Sequence, residues 1–280
     1  MTNNPDDIIN QQRESWNNFS SGWKKWDSVN MRFLRPVGEG IIDELALQDH
    51  YTVLDVASGT GEPGLSIAER VNKGKVIGID ISEGMLASAQ EHAAKRKLAN
   101  YQTLTSDVSI LPFPDHNFDA ISCRMGFMFF ADISATLNEM HRVLKPNGRL
   151  AVSVWAGAPQ NFWVMVTMGT ISDLMNLPAP PADAPGMFRC AKEGFMEGHL
   201  EAAGFHNIKV TEVSTVLNQD AETYWEMITE VGAPIVAAMS NADIEMRAKI
   251  KEEVFRKIHE KFPDGNIHLQ GTALLISGTA

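Results

Sequence analysis

From Tyr51 to Trp155 the apolar residues fall into short continuous runs that alternate with helix-spaced stripes. YTVLDVA reads as a strand buried on both faces, because its apolar residues are consecutive rather than alternating. Glu62–Asn72 reads as a helix with Leu65, Ala68 and Val71 on one side. KVIGID is a second strand, opened by Lys73–Gly74. Ser82 then caps a helix carrying Met85, Leu86, Ala89 and Ala93. YQTLTS is a third strand leading to Asp107, and the turn LPFPDHN precedes a fourth, FDAISC. A helix near Ile133–Lys145 is expected to stop at Pro146 and Asn147–Gly148, before a fifth strand, RLAVSVW. Strands and helices in alternation predict an α/β fold, a parallel sheet covered on both faces.

Outside this block the alternation weakens. Residues 6–47 read as helix, broken near Ser20–Gly22 and rich in aromatics: Trp16, Phe19, Trp23 and Trp26. Phe162–Met175 is an apolar helix, followed by LPAPPADAPG, whose prolines cannot continue it. A helix around Lys192–Ala203 ends at Gly204 and feeds the strand FHNIKVTEV. Residues 220–262 are helical again, with Met246, Ile250, Val254, Ile258 and Phe262 on one face. HLQGTALLISGT is a last strand. The organisation expected is an N-terminal helical lid over residues 1–48 and a main domain over 49–280, with helical insertions at about 157–190 and 220–262.

Composition narrows the function. In 280 residues, 44% hydrophobic and 21% charged, a sizeable core is available. The net charge of −11, with no Lys/Arg run, speaks against a nucleic-acid partner. Cys123 and Cys190 form no C-x-x-C pair and cannot build a four-ligand metal cage by themselves. The same scarcity of thiols disfavours a soft metalloid such as arsenite as substrate. The opening MTNNPDDIINQQRE is polar, and no run approaches the roughly 18 apolar residues of a membrane span. The expectation is a cytoplasmic protein without a membrane span.

The sharpest chemical feature is Val53-Leu54-Asp55-Val56-Ala57-Ser58-Gly59-Thr60-Gly61, a strand that delivers a carboxylate and then a small, glycine-bearing loop. Gly59 and Gly61 permit positive φ or close approach of a ligand, and the following helix points free N–H groups over the strand ends. Asp80 ends the second strand, where a carboxylate can accept from both hydroxyls of a ribose. Asp107 ends the third, with Val108 beside it to pack on a ring. Three acids on three consecutive strand ends match an amine, a ribose and an adenine amino group. S-adenosylmethionine carries those groups in that order.

With these residues the chain resembles the class I S-adenosylmethionine-dependent methyltransferases, especially the ubiquinone/menaquinone C-methyltransferase-like (methyltransferase type 11) group. VLDVASGTG matches their first motif, IGIDIS with Met85 the second, SDV with LPFPDHNFDA the third and fourth, and HRVLKPNGRLAVSVW the last. The likeness covers residues 50–156, and EAAGFHNIKV more loosely. It implies a Rossmann-like, doubly wound sheet of seven strands in the order 3-2-1-4-5-7-6, the seventh antiparallel, with the helical additions forming a cover. It also implies no metal requirement, and a cofactor site built from Asp55, Ala57, Ser58, Gly59, Gly61, Asp80, Ile81, Met85, Asp107, Val108 and Arg124. Ala57 departs from the family, which often has Gly there, and is tolerable if its φ is negative.

The expected reaction is in-line methyl transfer to a small apolar or aromatic acceptor, at carbon or oxygen. Trp23, Trp26, Phe127 and Trp155 are expected in the acceptor pocket, and no catalytic base is named. Gly59-Thr60-Gly61-Glu62-Pro63-Gly64 also fits the dinucleotide fingerprint of an NAD-dependent oxidoreductase. Against that reading, Asp55 would repel a pyrophosphate and Asp107 would have no role. A catalytically inactive cofactor-binding scaffold is the other alternative. Met85 reads equally as core or adenine contact, and Arg124 equally as surface ion pair or cleft residue. His141 lies on an apolar stripe and reads as structural, with His268 a weak candidate.

Overall fold

The computed structural model describes residues 4–178, 181 and 184–280. The first three residues of the expected lid, and Ala179, Pro180, Ala182 and Asp183 of the proline-rich stretch, lie outside the described residues. The strands are β1 (Thr52–Val56), β2 (Lys75–Asp80), β3 (Tyr101–Thr105), β4 (Phe118–Arg124), β5 (Leu144–Trp155), β6 (His206–Asn218) and β7 (His268–Thr279). They form one sheet in the order β3-β2-β1-β4-β5-β7-β6. The first five are parallel, and β7 runs antiparallel to both β5 and β6. The resemblance implied this order, and the structure has it. The chain winds outward from β1 to β3, then returns to place β4 on the other side of β1. Side chains and loops beyond the ends of β1 and β4 therefore splay apart and leave a crevice.

The helices are α1 (Pro5–Lys25), α2 (Asp27–Glu44), α3 (Gly64–Arg70), α4 (Glu83–Arg96), α5 (Ile133–Val143), α6 (Phe162–Met175), α7 (Phe195–Ala202), α8 (Ala221–Val231), α9 (Ala233–Ser240) and α10 (Ile244–Lys261). Side-chain oxygens of Ser82, Asp132, Asp220 and Asp243 cap four of them, each accepting from the backbone N–H three residues on. Ile250, Val254 and Ile258 of α10 are fully buried, so the stripe read from the sequence faces the core.

Several boundaries differ from expectation. The first break falls at Trp26, not near Ser20–Gly22. Gly22 stays helical, and its missing side chain lets α1 meet α8: a Cβ there would lie 2.6 Å from the Glu230 carbonyl oxygen. α5 ends at Val143, two residues early, because Leu144 turns extended (ψ 141°) ahead of Lys145, a residue that Pro146 also keeps out of the helical region. β5 thus begins at Leu144 with an irregularity before Arg149, where Asn147 has φ 64°. Residues 220–262 form three helices, since Pro234 starts α9 and Asp243 starts α10.

The N-terminal segment divides in two. α2 buries Phe33, Leu34, Val37, Ile41 and Ile42 against the sheet. α1 has no buried residue. It is tied down by Lys24 to Glu91 at 2.7 Å, by Asn17 Oδ1 accepting from the Ser82 hydroxyl at 2.7 Å, and by Lys25 to Glu230 at 2.7 Å. Among the described residues no helix is long and apolar enough to cross a membrane.

Candidate cofactor and acceptor cleft

The loop after β1 is held in an unusual backbone path. Ala57, Gly59 and Gly61 have φ of 52°, 54° and 116°. The condition under which alanine is tolerated without strain, a negative φ, is not met: Ala57 sits in the left-handed region, at a cost of about 1–2 kcal/mol. Neighbouring contacts hold the path in place. Ser58 N–H donates to the Ile79 carbonyl at 3.0 Å, and Gly59 N–H donates to Asp80 Oδ2 at 2.9 Å, so the loop is pinned to the tip of β2. A Cβ on Gly59 would meet nothing within 4 Å, and its backbone faces open space. Gly61 has the opposite reason to be glycine, since a Cβ would lie 2.6 Å from Leu65 Cδ1.

Beyond the strand ends lies a cavity of about 240 Å³. Its strand-end half is lined by Ala57, Ser58, Gly59, Asp80, Ile81, Met85, Asp107 and Val108, all expected there. Arg124 and Trp155 line it too, as does Trp23 from α1. Asp80 Oδ1 accepts from Ser82 N–H at 2.9 Å, so each of its oxygens already holds one backbone donor. Burial pushes its carboxyl above the usual range, opposed by the N–H groups of Ser82 and Gly59. Asp107 Oδ1 accepts from Ser109 N–H at 2.9 Å. Met85 is 3% exposed, so it serves the core and the cavity wall together.

Four expected residues lie outside this wall. Asp55 is fully buried behind the loop, with Oδ1 accepting from the Ser122 hydroxyl at 2.6 Å and Oδ2 from Gly64 N–H at 3.1 Å. It cannot meet a ligand amine from there. Burial raises its carboxyl to about 7, despite the Ser122 hydroxyl and the nearby Arg124 charge. A Cβ on Gly64 would lie 2.5 Å from Asp55 Oδ2, so the third glycine of the fingerprint makes room for this acid. Gly61 shapes the turn. Trp26 instead donates its indole N–H to Glu230 at 2.7 Å, and Phe127 is fully buried with its ring 5.1 Å from that of Phe130. Apolar character alone could not separate Phe127 in the core from Phe129 in the cavity wall, two residues on.

Arg124 is no surface ion pair. Its closest polar contact is Nη2 to Met31 Sδ at 3.3 Å. Burial draws its guanidinium below its ordinary value, against the pull of Glu62, Asp55 and Asp27. Sequence reasoning missed Asn30, Phe33 and Leu34, which form the opposite half of the cavity together with Trp163 of the apolar helix α6. Phe33, Trp155 and Trp163 meet with ring centroids 5.0–5.9 Å apart. Asn30, Phe33 and Leu34 are one face of α2, a helical spacing visible in the sequence, but its partner surface was not. Trp16 closes the outer side, 5.2 Å from Phe129 and 6.3 Å from Trp23. His141 packs edge-on to Phe205 and His268 binds Asn218, both away from the cavity. Both thiols are free and buried, and among the described residues no cluster could hold a metal ion.

Residues 53–148 match the family model described as a methyltransferase domain. The chain is 40% identical over 114 residues to the demethylmenaquinone methyltransferase of Thermus thermophilus, a match covering 41% of this chain and 51% of that enzyme. It is 26% identical over 246 residues to the nocamycin O-methyltransferase of Saccharothrix syringae, covering 80% of this chain and 88% of that one. A solved S-adenosylmethionine-dependent methyltransferase from Aquifex aeolicus superposes with a TM-score of 0.53 at 28% identity, over 70% of this chain and 92% of its own. Residues 53–148 thus carry a methyltransferase domain, and the chain is similar to class I S-adenosylmethionine-dependent methyltransferases. It spans about half the length of the first curated relatives it matches. The strand-end half of the cleft lies inside the matched segment. The helical half comes largely from residues outside it: α1, α2, Trp163 and the α8–α9 corner.

Proposed function

We propose that this methyltransferase binds S-adenosylmethionine along the tips of β1, β2 and β3 and transfers its methyl group to a small apolar or aromatic acceptor held beneath α1 and α2. The observation that carries the reading is Asp80 and Asp107 on adjacent strand tips, lining one cavity with an apolar, aromatic half opposite. The residues fit the cofactor. Each Asp80 oxygen has one lone pair left for a ribose hydroxyl after its backbone donor, and Asp107 has an oxygen left for an exocyclic amine. The Ser58 hydroxyl is buried and without a partner, and Gly59 opens its backbone to the space beside it.

The bound cofactor supplies an electrophilic methyl carbon on a sulfonium. The chain's own contribution is to bind, to orient and to keep water out. Trp16, Trp23 and Phe129 wall the outer side, and Phe33, Trp155 and Trp163 present flat apolar surface to the acceptor. Aligning two bound reactants lowers such a barrier by up to about 7–11 kcal/mol. The likeness to the nocamycin O-methyltransferase, which spans most of both chains, supports oxygen as an acceptor atom, and the demethylmenaquinone relatives support a quinone-like acceptor.

An NAD-dependent oxidoreductase fits less well. The antiparallel β7 between β5 and β6 is not the dinucleotide strand order, and Gly64 is filled from below by Asp55 rather than by helix–strand packing alone. Calorimetry separates the readings: S-adenosylhomocysteine should bind at micromolar strength and NAD should not. Binding of NAD alone would reverse the assignment. Turnover of labelled cofactor with a panel of phenolic, quinone-like and polyketide-like acceptors tests the activity against an inactive scaffold.

A further inference from the structure

The helical half of the cleft holds polar groups that an apolar guest would leave unpaired. Asn30 is 5% exposed, and its amide nitrogen has no hydrogen-bond partner. The Trp23 indole nitrogen is likewise buried and without one. Both residues line the cavity, and so does Arg124, the one cation among its described lining residues, whose guanidinium rests against Met31, the neighbour of Asn30. A buried donor left unsatisfied costs about 1–3 kcal/mol, so two such donors and a guanidinium whose hydrogen-bond partner is a thioether mark a place where an acceptor atom belongs. Asn30 shares its face of α2 with Phe33, which packs on Trp155 and Trp163, so this amide borders the flat aromatic surface.

The same cavity is poor in bases. Among its described lining residues there is no His, Lys, Tyr or Cys. Of its acids, Glu62 is held by Arg96 at 2.5 Å and by Ser66 N–H, Asp132 accepts from Ala135 N–H, and Asp80 and Asp107 are the two assigned to the cofactor. A neutral hydroxyl or ketone would find no imidazole, amine, phenolate or thiolate to take its proton.

We infer that the acceptor is bound as an oxygen anion, an enolate or phenolate on a flat apolar skeleton, and that Asn30, Trp23 and Arg124 hold that oxygen. The inference rests on the methyl-transfer reading and deepens it. The anion's oxygen, or the enolate carbon conjugated with it, supplies the electron pair that bonds the methyl carbon. The carbon–sulfur bond breaks, its pair stays on sulfur, and a sulfonium and an anion become a thioether and a neutral methylated product. No proton has to leave within the cavity. Acidic, vinylogous or phenolic substrates already ionised near neutral pH are therefore favoured over simple alcohols or amines.

The test uses the full chain saturated with S-adenosylhomocysteine and two probes followed by calorimetry. One is hydroxynaphthoquinone, a flat vinylogous acid ionised at neutral pH, and the other is its neutral methyl ether. The anion should bind about tenfold or more tightly than the ether, an effect the size of one charged hydrogen bond. Asn30→Asp, nearly isosteric, should abolish that preference by placing a like charge beside the oxygen. Trp23→Phe keeps the ring but not the N–H and should reduce it severalfold, and Arg124→Gln should remove most of it. Melting temperatures report whether each variant folds, and Trp23→Phe serves if Asn30→Asp does not. Equal binding of the two probes, or variants that keep the preference, overturns the inference. So does a loss of S-adenosylhomocysteine affinity in Asn30→Asp or Trp23→Phe with the preference intact, which would assign these donors to the cofactor's own carboxylate. Failure of the underlying reading looks different: the unmodified chain would not bind S-adenosylhomocysteine at all, and the inference would fall with it.

Discussion

Asp55 is a carboxyl sealed beneath the loop it supports, and its proton is set by burial rather than by any ligand. Its folded value is raised to about 7 from an ordinary 3.8. Between those values the folded state binds a proton that the unfolded chain releases, so stability falls as pH rises through that window. The contribution is fully present below the unfolded value and lost above the folded one. Asp80, also raised by burial, acts in the same direction. Asp55→Asn keeps the shape, can still accept from Gly64 N–H, and can donate to the Ser122 hydroxyl. Thermal melts between pH 5 and 8 should then show a flatter decline in the variant than in the parent, the difference approaching roughly 1.4 kcal/mol per pH unit. An unchanged slope would mean Asp55 is ionised in the folded protein. Asp80→Ala removes the acceptor proposed for both ribose hydroxyls, each bond worth about 1.5–3 kcal/mol. S-adenosylhomocysteine affinity measured by calorimetry should fall about tenfold or more. Ala57→Gly relieves the left-handed alanine but loosens the unfolded chain. The balance should be a gain of about 0.5–1 kcal/mol in denaturant unfolding.

Among the elements, α1 is the one poised to move. It has no buried residue, and its ties to α4 and α8 are the Ser82–Asn17 hydrogen bond and ion pairs whose side chains stand about half exposed, such as Lys24 (50%) with Glu91 (48%). Pairs of that kind contribute about 0–1 kcal/mol each. α2, by contrast, is built into the core. We therefore place the mobile cover in residues 4–25 rather than across 1–48. Hydrogen exchange should show α1 opening readily without ligand and becoming protected when S-adenosylhomocysteine binds, while α2 stays protected throughout. Equal protection of α1 in both states would make it a fixed wall. Gly22→Val offers a mutational check. Its side chain would collide with the Glu230 backbone, so α1 should detach and turnover should fall several-fold while the melting temperature changes little.

Taken whole, the molecule couples a general frame to a particular guest. The frame, inside residues 53–148, is legible in the sequence because its signals are local: continuous apolar strands, acids at the tips of β2 and β3, a glycine-bearing loop and a capping serine. Those features follow from bonding along a few residues, and strand composition with the recognised motifs sufficed for the sheet, its order and most of the strand-end half of the cleft. Tertiary structure decided what depends on neighbours distant in the chain. It turned Asp55 from a ligand contact into a buried support, because Ser122, sixty-seven residues away, and Gly64 meet it behind the loop. It gave Ala57 a positive φ, because the Ser58–Ile79 and Gly59–Asp80 bonds fix the path of the two residues that follow it. It sent Phe127 into the core and Trp26 to Glu230, and it brought Asn30, Trp23 and Arg124 to one cavity from three separate elements. Periodicity tells which face of a helix is apolar, but the partner across that face belongs to the packing of the whole chain. The sequence by itself therefore determined the sheet and most of the proposed cofactor half, while only the packing of distant segments decided the wall that meets the acceptor.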